Sequence, residues 1–211
     1  WPLLGEENTG ADALADSAYH ELTTLGETSE PAAEPQPEAS VAAAGEHTEP
    51  RELSRFFEQL TRAENRDDIA RCLIAYLGQE FGSGGILMIK GDQAMGWQAM
   101  AGGKPVADFD RFHVALDQPS VLLTVAQSKT CYLGSLPETV QNIMLVDNFG
   151  PDIPETVLLV PLLLRGRLVS ILYVQDNVAT MSDKLAELQR LVGKSAMAFE
   201  MLVLKNKILM S

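Results

Sequence analysis

Cysteine is scarce: Cys72 and Cys131 are the only two in 211 residues. They lie far apart on segments of different predicted type, so no disulfide framework is indicated. With no histidine nearby they make no zinc site by themselves. A reducing, cytoplasmic compartment is the simplest expectation. Long apolar runs are also missing. The longest, residues 157–164, is strand-sized and contains Pro161, well short of the ~18 residues of a spanning helix. Positive charge is absent from residues 1–50, which hold 11 Asp/Glu and no Lys or Arg. The whole chain carries a formal net charge of -13 and has a pI of about 4.6. That balance gives no basic surface for nucleic acid. The expectation is neither a nucleic-acid nor a membrane partner.

What is present suits one sizeable core, with 46% hydrophobic and 21% charged residues. Charge divides the chain. Residues 51–211 hold 18 acids against 16 bases, whereas residues 1–50 are purely acidic and hold five of the eleven prolines. The tract Glu30-Pro31-Ala32-Ala33-Glu34-Pro35-Gln36-Pro37-Glu38 has too little apolar surface to offset its ordering entropy, and its charges repel one another. Residues 1–50 are therefore expected to be a disordered acidic tail or linker, with a domain over 51–211. Within the tail, Leu14, Ala18, Tyr19, Leu22 and Leu25 fall near helical spacing. A short element over 12–25 is either a transient helix or a docking helix for a protein partner. The chain starts at Trp1 without a signal-peptide pattern, so it reads as a piece of a longer polypeptide with a domain before it.

From residue 51 onward, periodicity sets the elements. Leu53, Phe56, Phe57 and Leu60 form one helical stripe. Asn65 is a cap for a second helix carrying Ile69, Cys72, Leu73, Tyr76, Leu77 and Phe81. Gly82-Ser83-Gly84-Gly85 reads as its stop, and strands follow over 86–90, 93–100 and 112–116. Asp117 is expected to cap a short helix to Ser128, residues 130–133 form a short strand, and Pro137 opens another short helix. Residues 157–164 and 168–175 are the strongest strand pair, with Arg165-Gly166 as the hairpin turn. A long helix runs from Ser182 to about Met210. The order predicts an α+β domain: a central antiparallel sheet with the N- and C-terminal helices on one face.

At Val160-Pro161-Leu162, then Arg165-Gly166-Arg167-Leu168-Val169-Ser170-Ile171-Leu172-Tyr173-Val174, the chain resembles the GAF domain family. That family typically ends in a "VPL" strand, a Gly-containing hairpin, a "GVLYV"-like strand and a long helix. Here Ser170 stands where the family often has Gly. The resemblance covers about residues 51–211. It implies a regulatory module of a bacterial-type signalling protein, either binding a small ligand between the sheet and the short helices or acting by dimerisation.

Each family chemistry meets a mismatch. Asn148 is followed by Phe149 rather than the Lys of the cyclic-nucleotide signature. Cys131 is followed by Tyr132 and reads as a packed thiol rather than a bilin attachment point. Two distant cysteines do not supply the set used by methionine-sulfoxide-reducing members. His113, alone on a strand, reads as a hydrogen-bonded residue rather than a haem ligand. Gly82-Ser83-Gly84-Gly85 comes between helix and strand, the reverse of a phosphate loop. The expectation is a non-enzyme without cofactor or metal. If a ligand pocket exists, residues 104–150 form its lid and His113, Tyr132 and Asn142 supply polar contacts. The long helix has apolar residues on more than one side. Either it is wholly core, or it joins the first helix in a homodimer through Leu53, Phe56, Phe57, Leu188, Val192, Phe199 and Leu202.

Overall fold

Alternation along the strands assigns each side chain to one of two cores. The computed structural model describes residues 51–209, so the acidic tail and the helix expected over 12–25 lie outside the described residues. Helices α1 (Arg51–Thr61) and α2 (Arg66–Glu80) come first. Strands β1 (Ser83–Lys90), β2 (Gln93–Ala101), β3 (Lys104–Pro105) and β4 (His113–Ala115) follow, with a 3-10 turn at Phe109–Arg111. Then come α3 (Val121–Ser128), β5 (Tyr132–Gly134), α4 (Val140–Val146), β6 (Val157–Leu164), β7 (Arg167–Gln175) and α5 (Val178–Leu209). The seven strands form one sheet in the order β3-β2-β1-β7-β6-β5, with β4 also on β2. Every pairing is antiparallel.

On one face, Ile86, Leu158, Val160, Leu162, Leu172 and Val174 pack beneath α1, α2 and α5. On the other, Leu87, Val157, Leu159, Ile171 and Tyr173 pack beneath the 3-10 turn, α3 and α4. The expected α+β sheet with both terminal helices on one face is what the chain forms. Asn65 caps α2 reciprocally with Asp68, whose carboxylate also accepts from Glu64 N at 2.9 Å; that backbone N–H leads in holding Asp68 below the usual carboxylate range. Lys184 on α5 ties α2 to α5, with Nζ 2.7 Å from Glu80 and 3.2 Å from Glu187. The Glu80 partner leads in raising the Lys184 pKa.

Element starts moved where a side chain could cap. Ser120, not Asp117, caps α3 by accepting from Leu123 N at 3.0 Å. The residue before Pro119 is disfavoured from helix, which pushes the start past the proline. Thr139 caps α4, which starts at Val140 rather than at the expected Pro137. Asn177 Oδ1 accepts from Thr180 N at 2.9 Å, so α5 begins at Val178 rather than near Ser182. Ser83, Gly84 and Gly85 are not a stop but the start of β1. A Cβ on Gly84 would sit 2.9 Å from Tyr173 O, so this strand uses glycine for close approach. The hairpin turn at Arg165-Gly166 has positive φ at both residues, 50° and 77°, as a two-residue hairpin requires.

Candidate functional site

The space between the sheet and the short helices is where a ligand would sit. Small residues on β1 and β2 open room there: Gly85, Ala94, Gly96 and Ala99. The room is taken by the chain's own rings. Phe109 stacks on Phe112 at 5.8 Å and meets Phe149 edge-on at 5.6 Å. Phe149 in turn lies 4.9 Å from the Tyr173 ring. A Cβ on Gly85 would stand 3.1 Å from Phe149 Cζ, and one on Gly96 would be 1.9 Å from Phe109 O. Val121, Leu122, Val125 and Leu145 close the remaining space from α3 and α4.

Polar groups in this interior are used internally. On the opposite face of the sheet, opposite Leu162 in the ladder, Ser170 Oγ donates to Leu87 O at 2.7 Å, which satisfies the hydroxyl where the family often has glycine. Tyr173 OH donates to Gln175 Oε1 at 2.8 Å, and burial raises its phenol pKa. Among the described residues, no buried side-chain nitrogen or oxygen lacks a partner. A ligand site normally keeps a few convergent polar groups for its ligand.

Two of the three expected pocket residues meet in a neighbouring cleft of about 340 Å³ between α3, β5 and α4. Tyr132 and Asn142 line it with Ser120, Thr124, Gln127 and Thr139. His113 is not brought there. It is exposed on β4, its Nδ1–H donating to Arg111 O at 3.1 Å. Asn142 is a brace. Its Oδ1 accepts from Val121 N at 3.0 Å and its Nδ2 donates to Pro137 O at 2.8 Å. Tyr132 OH donates to Ser135 O at 2.5 Å. Asn142→Ala leaves the buried Val121 N–H unpaired, while Pro137 O keeps the Thr139 N–H at 2.9 Å, so a loss of about 1–3 kcal/mol is expected in urea unfolding. Two larger grooves are surface features: about 540 Å³ between α1 and α2, and about 490 Å³ beside Trp97.

The cysteines stay apart in role. Cys72 is buried and donates to Phe56 O at 3.4 Å, and burial pushes its thiol up to about 11. Cys131 is half-buried, just before β5, and its Sγ accepts from Gln189 Nε2 at 3.4 Å. Iodoacetamide at mild alkaline pH should therefore label Cys131 and spare Cys72 until urea is added, read by peptide mass spectrometry. The unfolded thiol ionises near 9.0 and the folded one near 11, so stability falls as pH rises between them. Among the described residues, no group of three or more His, Cys, Asp or Glu could hold a metal ion. None of the described helices is long and apolar enough to cross a membrane.

The seven-stranded order, the two opposed cores and the long closing helix match solved structures. The phycocyanobilin-bound GAF domain of a cyanobacterial phytochrome aligns with a TM-score of 0.57 at 12% identity, over 72% of this chain and 96% of that one. This is a GAF-like fold. The A. aeolicus nlh2 GAF domain in an inactive state aligns with a TM-score of 0.53 at 10% identity, over 71% of this chain and 93% of that one. The free methionine-R-sulfoxide reductase from Neisseria meningitidis, solved with its substrate, aligns at 0.51 with 15% identity, over 69% of this chain and 86% of that one. No protein-family model and no curated protein matches the sequence. A similar fold thus occurs in a phycocyanobilin-bound phytochrome domain and in a reductase, and function rests on the site.

The residues expected at a dimer interface separate into two sets. Leu53, Phe56, Leu188 and Val192 are buried in the chain's own core, so the surface expected from them is an interior. Phe57, Phe199 and Leu202 are half-buried at its margin. The periodicity of α5 was legible, but which stripe faces the sheet was not. The outward stripe carries Met197, Met201 and Leu204, 63%, 67% and 44% exposed.

Proposed function

We propose that this chain is a regulatory, signalling-type GAF-like module that acts through contacts between protein surfaces, with no cofactor and no catalytic step. The observation that carries this reading is the ring cluster of Phe109, Phe112, Phe149 and Tyr173 in the space a ligand would need. Its polar atoms are already paired. The two cysteines have structural partners, Phe56 O and Gln189, rather than each other.

The contact proposed is a homodimer through α5. Met197, Met201 and Leu204 follow one another at four- and three-residue steps, the spacing of a two-helix seam. Exposed apolar side chains in such a row are covered at low cost by the same row of a second copy. Sedimentation velocity of the whole chain should report a dimer, and Met201→Glu should shift it to monomer without unfolding it. A monomer at every concentration tested would rule out this contact.

A second reading, a small-molecule sensor, is favoured by the cleft of about 340 Å³, whose lining contains hydroxyls and amides and no charged side chain. Such a cleft suits a small neutral ligand. Its hydroxyls at Ser120, Thr124 and Tyr132 are already engaged with backbone. A ligand there would have to compete with those bonds.

A further inference from the structure

Away from α5, exposed large apolar side chains gather on and beside α4. Val140, Ile143 and Met144 fall at i, i+3 and i+4 and are 67%, 47% and 45% exposed. Ile153 is 66% exposed. Ile143 and Ile153 share a notch of about 30 Å³ whose walls include Glu138 and Asp147. The inner side of the same helix, through Asn142 and Leu145, is already buried. The outward apolar face is therefore surplus to the fold.

Its charge is one-sided. Residues 130–164 contain Glu138, Asp147, Asp152 and Glu155 and no Lys or Arg. All four carboxylates are exposed, and among the described residues no cation forms an ion pair with any of them. The nearest base in sequence, Lys129, donates to Gly166 O at 2.9 Å.

We propose that the α4 face is a docking surface for a basic amphipathic segment of a partner protein. Apolar side chains of that segment would fill the Ile143–Ile153 notch, and its Lys or Arg residues would meet the surrounding carboxylates. Charge decides against the nearer occupants. The chain's own residues 1–50 hold 11 acids and no base, so they would add like charge. A second copy meeting this face symmetrically would set the same carboxylates against one another. This proposal rests on the reading that the chain works by surface contact.

The test is amide chemical-shift mapping on the whole labelled chain, titrated with a synthetic amphipathic Lys/Leu peptide and with its Glu/Leu counterpart. Saturable shifts across 136–155 with the first peptide, and none with the second, are the expected result. Ile143→Ser combined with Ile153→Ser should weaken binding by about tenfold, and Glu138→Lys with Asp147→Lys should abolish it. All four positions are exposed, so the remaining spectrum should stay as in the parent chain. Shifts confined to residues 1–50, or equal affinity in the serine variant, would overturn the proposal. A ligand found in the interior would instead remove the surface-contact reading, whatever the peptide does.

Discussion

Phe149→Ala should destabilise the chain by about 3–5 kcal/mol, the cost of a large buried ring removed from a packed interior. Phe149 sits between Phe109 and Tyr173, 5.6 and 4.9 Å from their ring centres. Its own tip lies against Gly85, where a Cβ would be 3.1 Å away. Backbone on one side and rings on the other leave little scope for collapse, so the hole should persist. An apolar hole of this kind stays dry and takes small aromatic molecules. The variant should therefore gain a melting shift with indole that the parent chain lacks. Urea unfolding gives the first effect and thermal melting the second. A loss under about 1 kcal/mol would mean that the ring is not packed as described.

Gly96→Ala should be comparably damaging for the opposite reason. The added carbon would lie 1.9 Å from Phe109 O and 2.9 Å from its carbonyl carbon. Backbone cannot swing aside as a side chain does, so the 3-10 turn at Phe109–Arg111 must move. Overpacking of cores typically costs 1–3 kcal/mol, and a backbone clash puts this case at about 3 kcal/mol or more. Gly193→Ala is the internal control. Nothing stands within 4 Å of its added carbon, and it lies inside α5. There, alanine should raise stability by about 0.5–1 kcal/mol. One substitution type with opposite signs at two sites would show that space, not glycine itself, sets the effect.

The elements that periodicity made legible were those with one apolar stripe or strict alternation. The β6–β7 hairpin, α1 and α2 follow from residues such as Leu158, Val160, Leu172 and Val174 on one face and Leu53, Phe56 and Leu60 on one stripe. Starts depended on which hydroxyl or amide reached a free backbone N–H, and Ser120, Thr139 and Asn177 are each local choices that apolar patterning does not see. The site was less legible. Tyr132 and Asn142 came together, but His113 did not, because β4 turns it to solvent. The filling of the interior had a faint signal in the small residues Ala94, Gly96 and Ala99. Small residues on an inward strand face mean that something large approaches, yet whether that is a ligand or a ring from elsewhere in the chain is a tertiary fact. The same holds for α5, whose inner and outer stripes are both apolar.

Native mass spectrometry of the purified 211-residue chain reads interior occupancy and assembly together. Polypeptide mass alone, in paired copies, is the expected spectrum. A small molecule retained in stoichiometric amount, and lost only on unfolding, would contradict an interior filled by Phe109, Phe112, Phe149 and Tyr173.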